Sequence, residues 1–278
     1  MKCFDVVQTV LDATYEEVPG TGKERDASVK KAIETTRARY TGGQLMTKGG
    51  PDFSDPATRF GYVFVYTPAH AYWLFEAIGK AKGIRSLFEK GKARVICLGG
   101  GPGSDVVGLL KFLDDEEIEC KLFVDIVDGC LEWQATWRDL AYELDTNSLH
   151  TTYVTHDVGE KATWNAPSNI AKADIITISF FISEVFHLKS TKKYLATMLG
   201  AAKPGAFLFV NDNRTQEVYD LIDEVAKDCG FKTLLADAGD RRIRDWTEKA
   251  DALAKYQKKF GANTRLTANM FRRIYRKT

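Results

Sequence analysis

The segment LGGGPGSD, residues 98–105, constrains this chain more than any other. The short apolar run ARVICLG leads into it. Out of it runs an amphipathic stretch, Ser104 to Leu113, with Val106, Val107, Leu109, Leu110 and Leu113 on one broad face. Strand, glycine turn and helix in that order begin a parallel α/β unit, whose strand is covered on both faces and therefore reads as continuous apolar residues. Glycines at 99, 101 and 103 permit the tight turn and let a ligand approach the backbone, and the helix start offers unpaired N–H groups. A dinucleotide fingerprint needs G-x-G-x-x-G/A, and counting from Gly99 puts Ser104 in its last place; read as G-x-G-x-G the match is complete.

The same alternation continues along the chain. CKLFVDIVD, HTTYVTHD, ADIITISFF and GAFLFVND read as further strands, LEWQATWRDLAYEL, STKKYLATMLGAAK and Thr215 to Cys229 as helices, and FKTLLADA and MFRRIYRK as two closing strands. The expected fold is α/β: a Rossmann-like, mostly parallel seven-stranded sheet with helices on both faces. Residues 1–90 differ. They read as a helical cap, with helices at Cys3 to Glu17 and Ala27 to Tyr40, a Gly-rich break from Gly42 to Pro51, and an aromatic run, RFGYVFVYTPAHAYWLFEAIGKAKGI, whose second half has helical apolar spacing. Residues 91–278 form the α/β domain.

Composition narrows the class. With 44% hydrophobic and 28% charged residues in 278, the chain can build a large core and is not disordered. Its longest apolar runs fall far short of the ~20 residues of a spanning helix, and its first residues lack a secretory pattern. Five cysteines without a CxxC pair read as reduced thiols rather than a zinc site, which places the protein inside the cell, in cytoplasm or nucleus. No metal and no membrane contact is expected. The 39 basic against 38 acidic residues hide an asymmetry: residues 105–184 carry 16 acids and 5 bases, net −11, and residues 241–278 carry 12 bases and 3 acids, net +9. The basic end either folds against the acidic middle or faces an anionic partner.

Site candidates fall at the carboxyl ends of successive strands, where open α/β sheets bind ligands. Asp128 ends the second strand, where a carboxylate can accept both hydroxyls of a ribose; Asp125 competes but lies within the strand. Asp157 follows the third strand and can accept an adenine amino group. Ser179 and Phe180 end the fourth strand beside the reacting centre, and Glu184 opens the next helix, where the dipole alone also favours an acid.

The runs GGGPGSDVVGLLKFL, VDGCLEWQATW, SFFISEV and AAKPGAFLFVND resemble class I S-adenosylmethionine-dependent methyltransferases over residues 92–212. The EW-x-x-TW spacing after Asp128 and the segment YTPAHAYW are similar to fungal large-subunit rRNA uridine-N3 methyltransferases. The resemblance implies S-adenosyl-L-methionine as cofactor, with Gly99, Gly101 and Gly103 at its methionine end, Asp128 on its ribose and Asp157 on its adenine. It also implies a closing antiparallel hairpin and a role in rRNA processing. The fourth strand ends in SFFI rather than the Asn/Asp-Pro-Pro-aromatic motif of exocyclic-amine methylation, and no Cys-Pro pair supports a pyrimidine C5 adduct.

Candidate proton acceptors are His70, Tyr66 and Glu184, because the aromatic segment before the first strand commonly covers the cofactor in this class. His70 reads equally as a packed helix residue. Tyr62, Tyr66, Tyr72 and Trp73 either line an acceptor pocket or form core. Arg59 is a partner for the cofactor's carboxylate. The C-terminal KYQKKFGANTRLTANMFRRIYRK, which interleaves cations with aromatics, is a possible RNA contact, or alternatively an edge strand with Phe271, Ile274 and Tyr275 partly buried. Three functions are compatible with these residues: methylation of an RNA base, methylation of a small aromatic or amine metabolite, and a catalytically silent binding module.

Overall fold

The computed structural model describes residues 1–40, 44–144, 147–165, 169–244, 248 and 253–278. Part of the Gly-rich break (41–43) and part of the basic end (245–247 and 249–252) lie outside the described residues. Six helices precede the first strand: α1 (Cys3–Glu17), α2 (Lys23–Arg39), α3 (Gln44–Lys48), α4 (Pro56–Val65), α5 (Thr67–Gly79) and α6 (Ile84–Phe88). Strands and helices then alternate as β1 (Lys92–Leu98), α7 (Ser104–Asp115), β2 (Lys121–Asp128), α8 (Trp133–Leu144), β3 (Leu149–Thr155), β4 (Ile175–Ser179), α9 (Ile182–Val185), α10 (Thr191–Gly200), β5 (Phe207–Asn213), α11 (Gln216–Asp228), β6 (Phe231–Arg242), α12 (Ala254–Phe260) and β7 (Thr267–Lys277).

The seven strands form one sheet in the order β3-β2-β1-β4-β5-β7-β6, parallel except for β7, which runs antiparallel to both neighbours. This is the Rossmann-like sheet with the closing hairpin expected from the sequence. One detail differs. MFRRIYRK lies inside the sheet between β5 and β6, so β6 is the edge, and Phe271, Ile274 and Tyr275 are buried rather than half-exposed.

Alternate residues of each strand feed two apolar layers. Val95, Cys97, Val124 and Ile126 pack with α1, α4, α5, α7 and α8, while Ile96, Leu98, Ile176 and Ile178 pack with α10 and α11. The core of the N-terminal helices is therefore continuous with one face of the sheet. The aromatic run makes two helices rather than one. Asp55 caps α4, accepting from the Ala57 and Thr58 N–H groups, and Pro68 in the first turn of α5 restarts the chain after Tyr66. Gly108 lets α7 approach α5 closely: a methyl group there would lie 2.4 Å from the Ala71 carbonyl oxygen. Among the described residues no helix is long and apolar enough to cross a membrane, and no group of three His, Cys, Asp or Glu could hold a metal ion.

Candidate active site

Register sets the site. Leu98, the last residue of β1, is opposite Val127 on β2 and Ile178 on β4, so the glycine turn that follows emerges between Asp128 and Ser179, each one residue further on. β1 is also where the strand order reverses, which leaves a crevice at the carboxyl edge. A cleft of about 150 Å³ occupies it.

The turn is held from below by the Val127 carbonyl, which accepts from Gly99 N at 2.8 Å and Gly100 N at 3.2 Å. Gly99 (φ +65°) and Gly103 (φ +88°) occupy the left-handed region, and neither has room for a side chain. A Cβ would lie 2.2 Å from the Phe181 ring at Gly99 and 2.1 Å from the Trp137 ring at Gly103.

Of the residues singled out in the sequence, Gly99, Gly101, Asp128, Asp157, Ser179, Phe180 and Glu184 all line this one cleft. Asp128 accepts from Gly101 N and Cys130 N, one on each carboxylate oxygen, both at 2.9 Å. Burial pushes its carboxyl up to about 6, against the pull of those N–H groups. Asp157 is exposed and accepts from Gly159 N at 2.7 Å. Asp125, the competing choice, is buried and bonded to Asn169 N and Nδ2, away from the cleft. Ser179 is buried, its side chain beside the Asp105 carboxyl.

Phe180 carries the backbone strain of the site. Its φ of +55° is unusual for a side-chain-bearing residue. The turn is fixed by its N–H, which donates to Asn211 O at 2.7 Å, and by its ring, which stacks on His70 at 3.9 Å and 9°. It follows that His70 reaches the cleft only through Phe180. Burial holds His70 well below the usual histidine range, so the imidazole is neutral, with Nδ1 3.3 Å from the Tyr62 hydroxyl.

Glu184 enters from the opposite wall. Burial pushes its carboxyl up to about 8, with Asp128 and Asp212 adding to the shift and the Tyr40 hydroxyl, which donates to Oε1, pulling it back. Behind it Asp212, itself raised to about 6 by burial, accepts from Ser183 N at 3.1 Å.

Arg59, Tyr66 and Gly103 lie outside the cleft lining. Arg59 is committed to Glu17 Oε2 at 2.8 Å and to the carbonyls of Phe53 and Ser54 at 3.0 and 2.9 Å, so it braces the approach to α4. Tyr66 is buried, with its hydroxyl pushed up to about 12 by burial. Of Tyr62, Tyr66, Tyr72 and Trp73, Tyr62 alone lines the cleft. With Phe53 and Trp133 it forms a roof of three rings whose centroids lie 4.9–5.6 Å apart.

The basic C-terminal strand is largely turned on the protein itself. Arg272 is fully buried, donating to Asn211 Oδ1 at 3.2 Å and the Trp73 carbonyl at 3.0 Å. Arg273 pairs with Asp223 at 2.9 Å, and Lys277 donates to the Leu199 carbonyl at 3.0 Å. In α12, Tyr256 is buried and Lys255 reaches Asp12 at 2.9 Å, while Lys259 reaches Asp26 at 2.8 Å. Among the described residues, the acids that these cations pair with lie outside residues 105–184, and Asp128, Asp157 and Glu184 stay in the cleft.

No protein-family profile and no curated protein matches the chain. Among solved structures it is similar to a candidate RNA methyltransferase from Pyrococcus horikoshii, with 15% identity over 77% of this chain and 87% of that one and a TM-score of 0.49. It is also similar to a SAM-dependent methyltransferase from Aquifex aeolicus (15% identity, 80% and 97% covered, TM-score 0.47). A third likeness is to a SAM-dependent methyltransferase from Methanosarcina mazei (11% identity, 71% and 98% covered, TM-score 0.43).

Proposed function

We propose that the chain is an S-adenosyl-L-methionine-dependent methyltransferase acting on a ring nitrogen, or an oxygen, of an RNA base, with uridine N3 of rRNA as the acceptor the sequence resemblance names. The observation that carries this reading is the placement of Asp128: a carboxylate at the end of β2, pinned to the glycine turn through Gly101 N, with a lone pair left on each oxygen for a diol. The remaining lining fits the same cofactor. Asp128 and Asp157 give the cleft a negative character that suits a sulfonium cation, and Ser179 lines the same space.

S-adenosylmethionine supplies an electrophilic methyl group when bound. The chain's own residues hold the acceptor in line with it, and such positioning is worth up to ~7–11 kcal/mol. Tyr62, Phe53 and Trp133 present flat apolar surface to a planar ring. An imide N–H must give up its proton for the nitrogen to accept a methyl group. Glu184, with its carboxyl near 8, is the base at hand: it takes that proton on its carboxylate and is poised to do so just above neutrality. His70 and Tyr66 serve as packing that orients Phe180 and the roof.

A small aromatic metabolite is the second reading, favoured by the aromatic roof. Incubation with labelled cofactor and either total RNA or a panel of phenols and amines separates the two, since label in digested uridine supports the first and label only in a small acceptor refutes it.

A further inference from the structure

With the C-terminal strand engaged internally, a group of arginines lacking a carboxylate partner among the described residues lies elsewhere. The β6–β7 end projects beyond the carboxyl edge of the sheet and forms a groove of about 480 Å³ lined by Arg241, Arg242, Arg244, Arg265 and a single acid, Asp240. Arg241 is neutralised by Asp237 at 2.5 Å. Arg242 and Arg244 are exposed and make no ion pair with any described residue. Arg265 donates through Nε to the Thr267 carbonyl at 2.8 Å and has no carboxylate partner among the described residues.

The groove shares an edge with the cleft. Ser179 is opposite Asn211, Asn211 opposite Arg272, and β7 then continues five residues to Thr267, which is opposite Arg242. At about 3.4 Å per residue and about 4.8 Å per strand, Arg242 lies roughly 20 Å from Ser179. A line of aromatic residues joins the two places. The Arg265 guanidinium stands 5.8 Å over the Tyr66 ring, Tyr66 is 4.7 Å from Tyr40, and the Tyr40 hydroxyl donates to Glu184 in the cleft.

We propose that this arginine groove, through Arg242, Arg244 and Arg265, binds the phosphates of a single-stranded RNA whose target base enters the cleft beside Glu184. The proposal rests on the RNA-base reading above and gives that reading a surface. The separation itself selects the partner class. A lone nucleotide or a metabolite cannot touch both places, whereas a strand at about 3.4 Å per stacked nucleotide spans them with about six nucleotides, inside the usual site size of roughly 4–16. Arginines suit phosphate oxygens through their planar pairs of N–H donors.

The test is the salt dependence of binding to a fluorescent oligouridine of roughly 12 nucleotides, followed by anisotropy from about 50 to about 200 mM salt. Each phosphate contact contributes about 0.7 to the slope of log affinity against log salt for a single strand, so Arg242→Gln/Arg244→Gln should flatten the slope by about 1.4. Arg242→Lys/Arg244→Lys should keep most of it. Thermal unfolding and S-adenosylmethionine titration of each variant establish that the fold and the cleft are intact. An unchanged slope in the Gln variant, or no binding by the parent protein at low salt, overturns the proposal. Salt-dependent RNA binding that flattens as stated, in a protein giving no heat with S-adenosylmethionine, supports the groove and refutes the methyltransferase reading. Heat with S-adenosylmethionine and no RNA binding refutes the groove and the RNA acceptor and leaves the cofactor reading of the cleft standing.

Discussion

Glu184→Gln tests the electrostatics of the cleft without any knowledge of the acceptor. In the folded protein burial raises this carboxyl from 4.5 to about 8. Between those values the native state holds a proton that the unfolded chain has released, so stability falls as pH rises through 8. From pH 7.0 to 8.5 a single such group removes about 1 kcal/mol, equivalent to roughly 2–4 °C in Tm for a domain of this size. His70 works in the opposite sense: held neutral, it costs stability only as pH falls toward and below the ordinary histidine value, at the edge of this window. Scanning calorimetry on both proteins at several pH values isolates the Glu184 contribution, because every other group cancels in the difference. The parent protein should lose those degrees across the window and the Gln variant should not. Parallel Tm curves would mean that Glu184 is ionised and hydrated at neutral pH, and its role as a base poised near 8 would fall with that result.

Other outcomes follow from the same geometry. Tyr40→Phe removes the hydroxyl that holds the Glu184 carboxyl down, so the pH at which the fall in Tm levels off should move upward; a downward shift would contradict the pairing. Asp128→Ala should weaken S-adenosylmethionine binding by roughly 1–3 kcal/mol through lost charge-assisted hydrogen bonds, read by calorimetry, and unchanged affinity would refute the ribose assignment. Gly103→Ala drives a methyl group into the Trp137 ring at a φ of +88°, so it should cost on the order of 1–3 kcal/mol and lower both Tm and cofactor affinity, whereas a neutral result would show that the turn can relax.

Much of the frame was legible because short-range pattern determines it. Continuous apolar runs ending in glycine or acid marked β1, β2 and β4, and the register of parallel strands then places Gly99, Asp128 and Ser179 side by side. What escaped depends on contacts far apart in sequence. Tyr40 meets Glu184 across 144 residues, and Arg59 is claimed by Glu17 42 residues earlier, neither of which periodicity reveals. Phe53 precedes α4 in a loop with no pattern, yet it roofs the cleft. The basic end was legible as charge and as a closing strand, but its place within the sheet was not. Insertion of β7 between β5 and β6 buries Arg272 against Asn211 and Trp73, and leaves the free arginines at the turn instead. The G-x-G-x-G turn, by contrast, carried its own geometry, since both φ and the absence of space at Gly99 and Gly103 demand glycine.

The central claim is that the cleft between β1 and β4 holds S-adenosylmethionine, and titration calorimetry against S-adenosylmethionine and NAD in parallel tests it most directly. The arrangement of Gly101, Asp128 and the acidic wall predicts saturable micromolar heat with S-adenosylmethionine and none with NAD, and micromolar binding of NAD with no response to S-adenosylmethionine would contradict it.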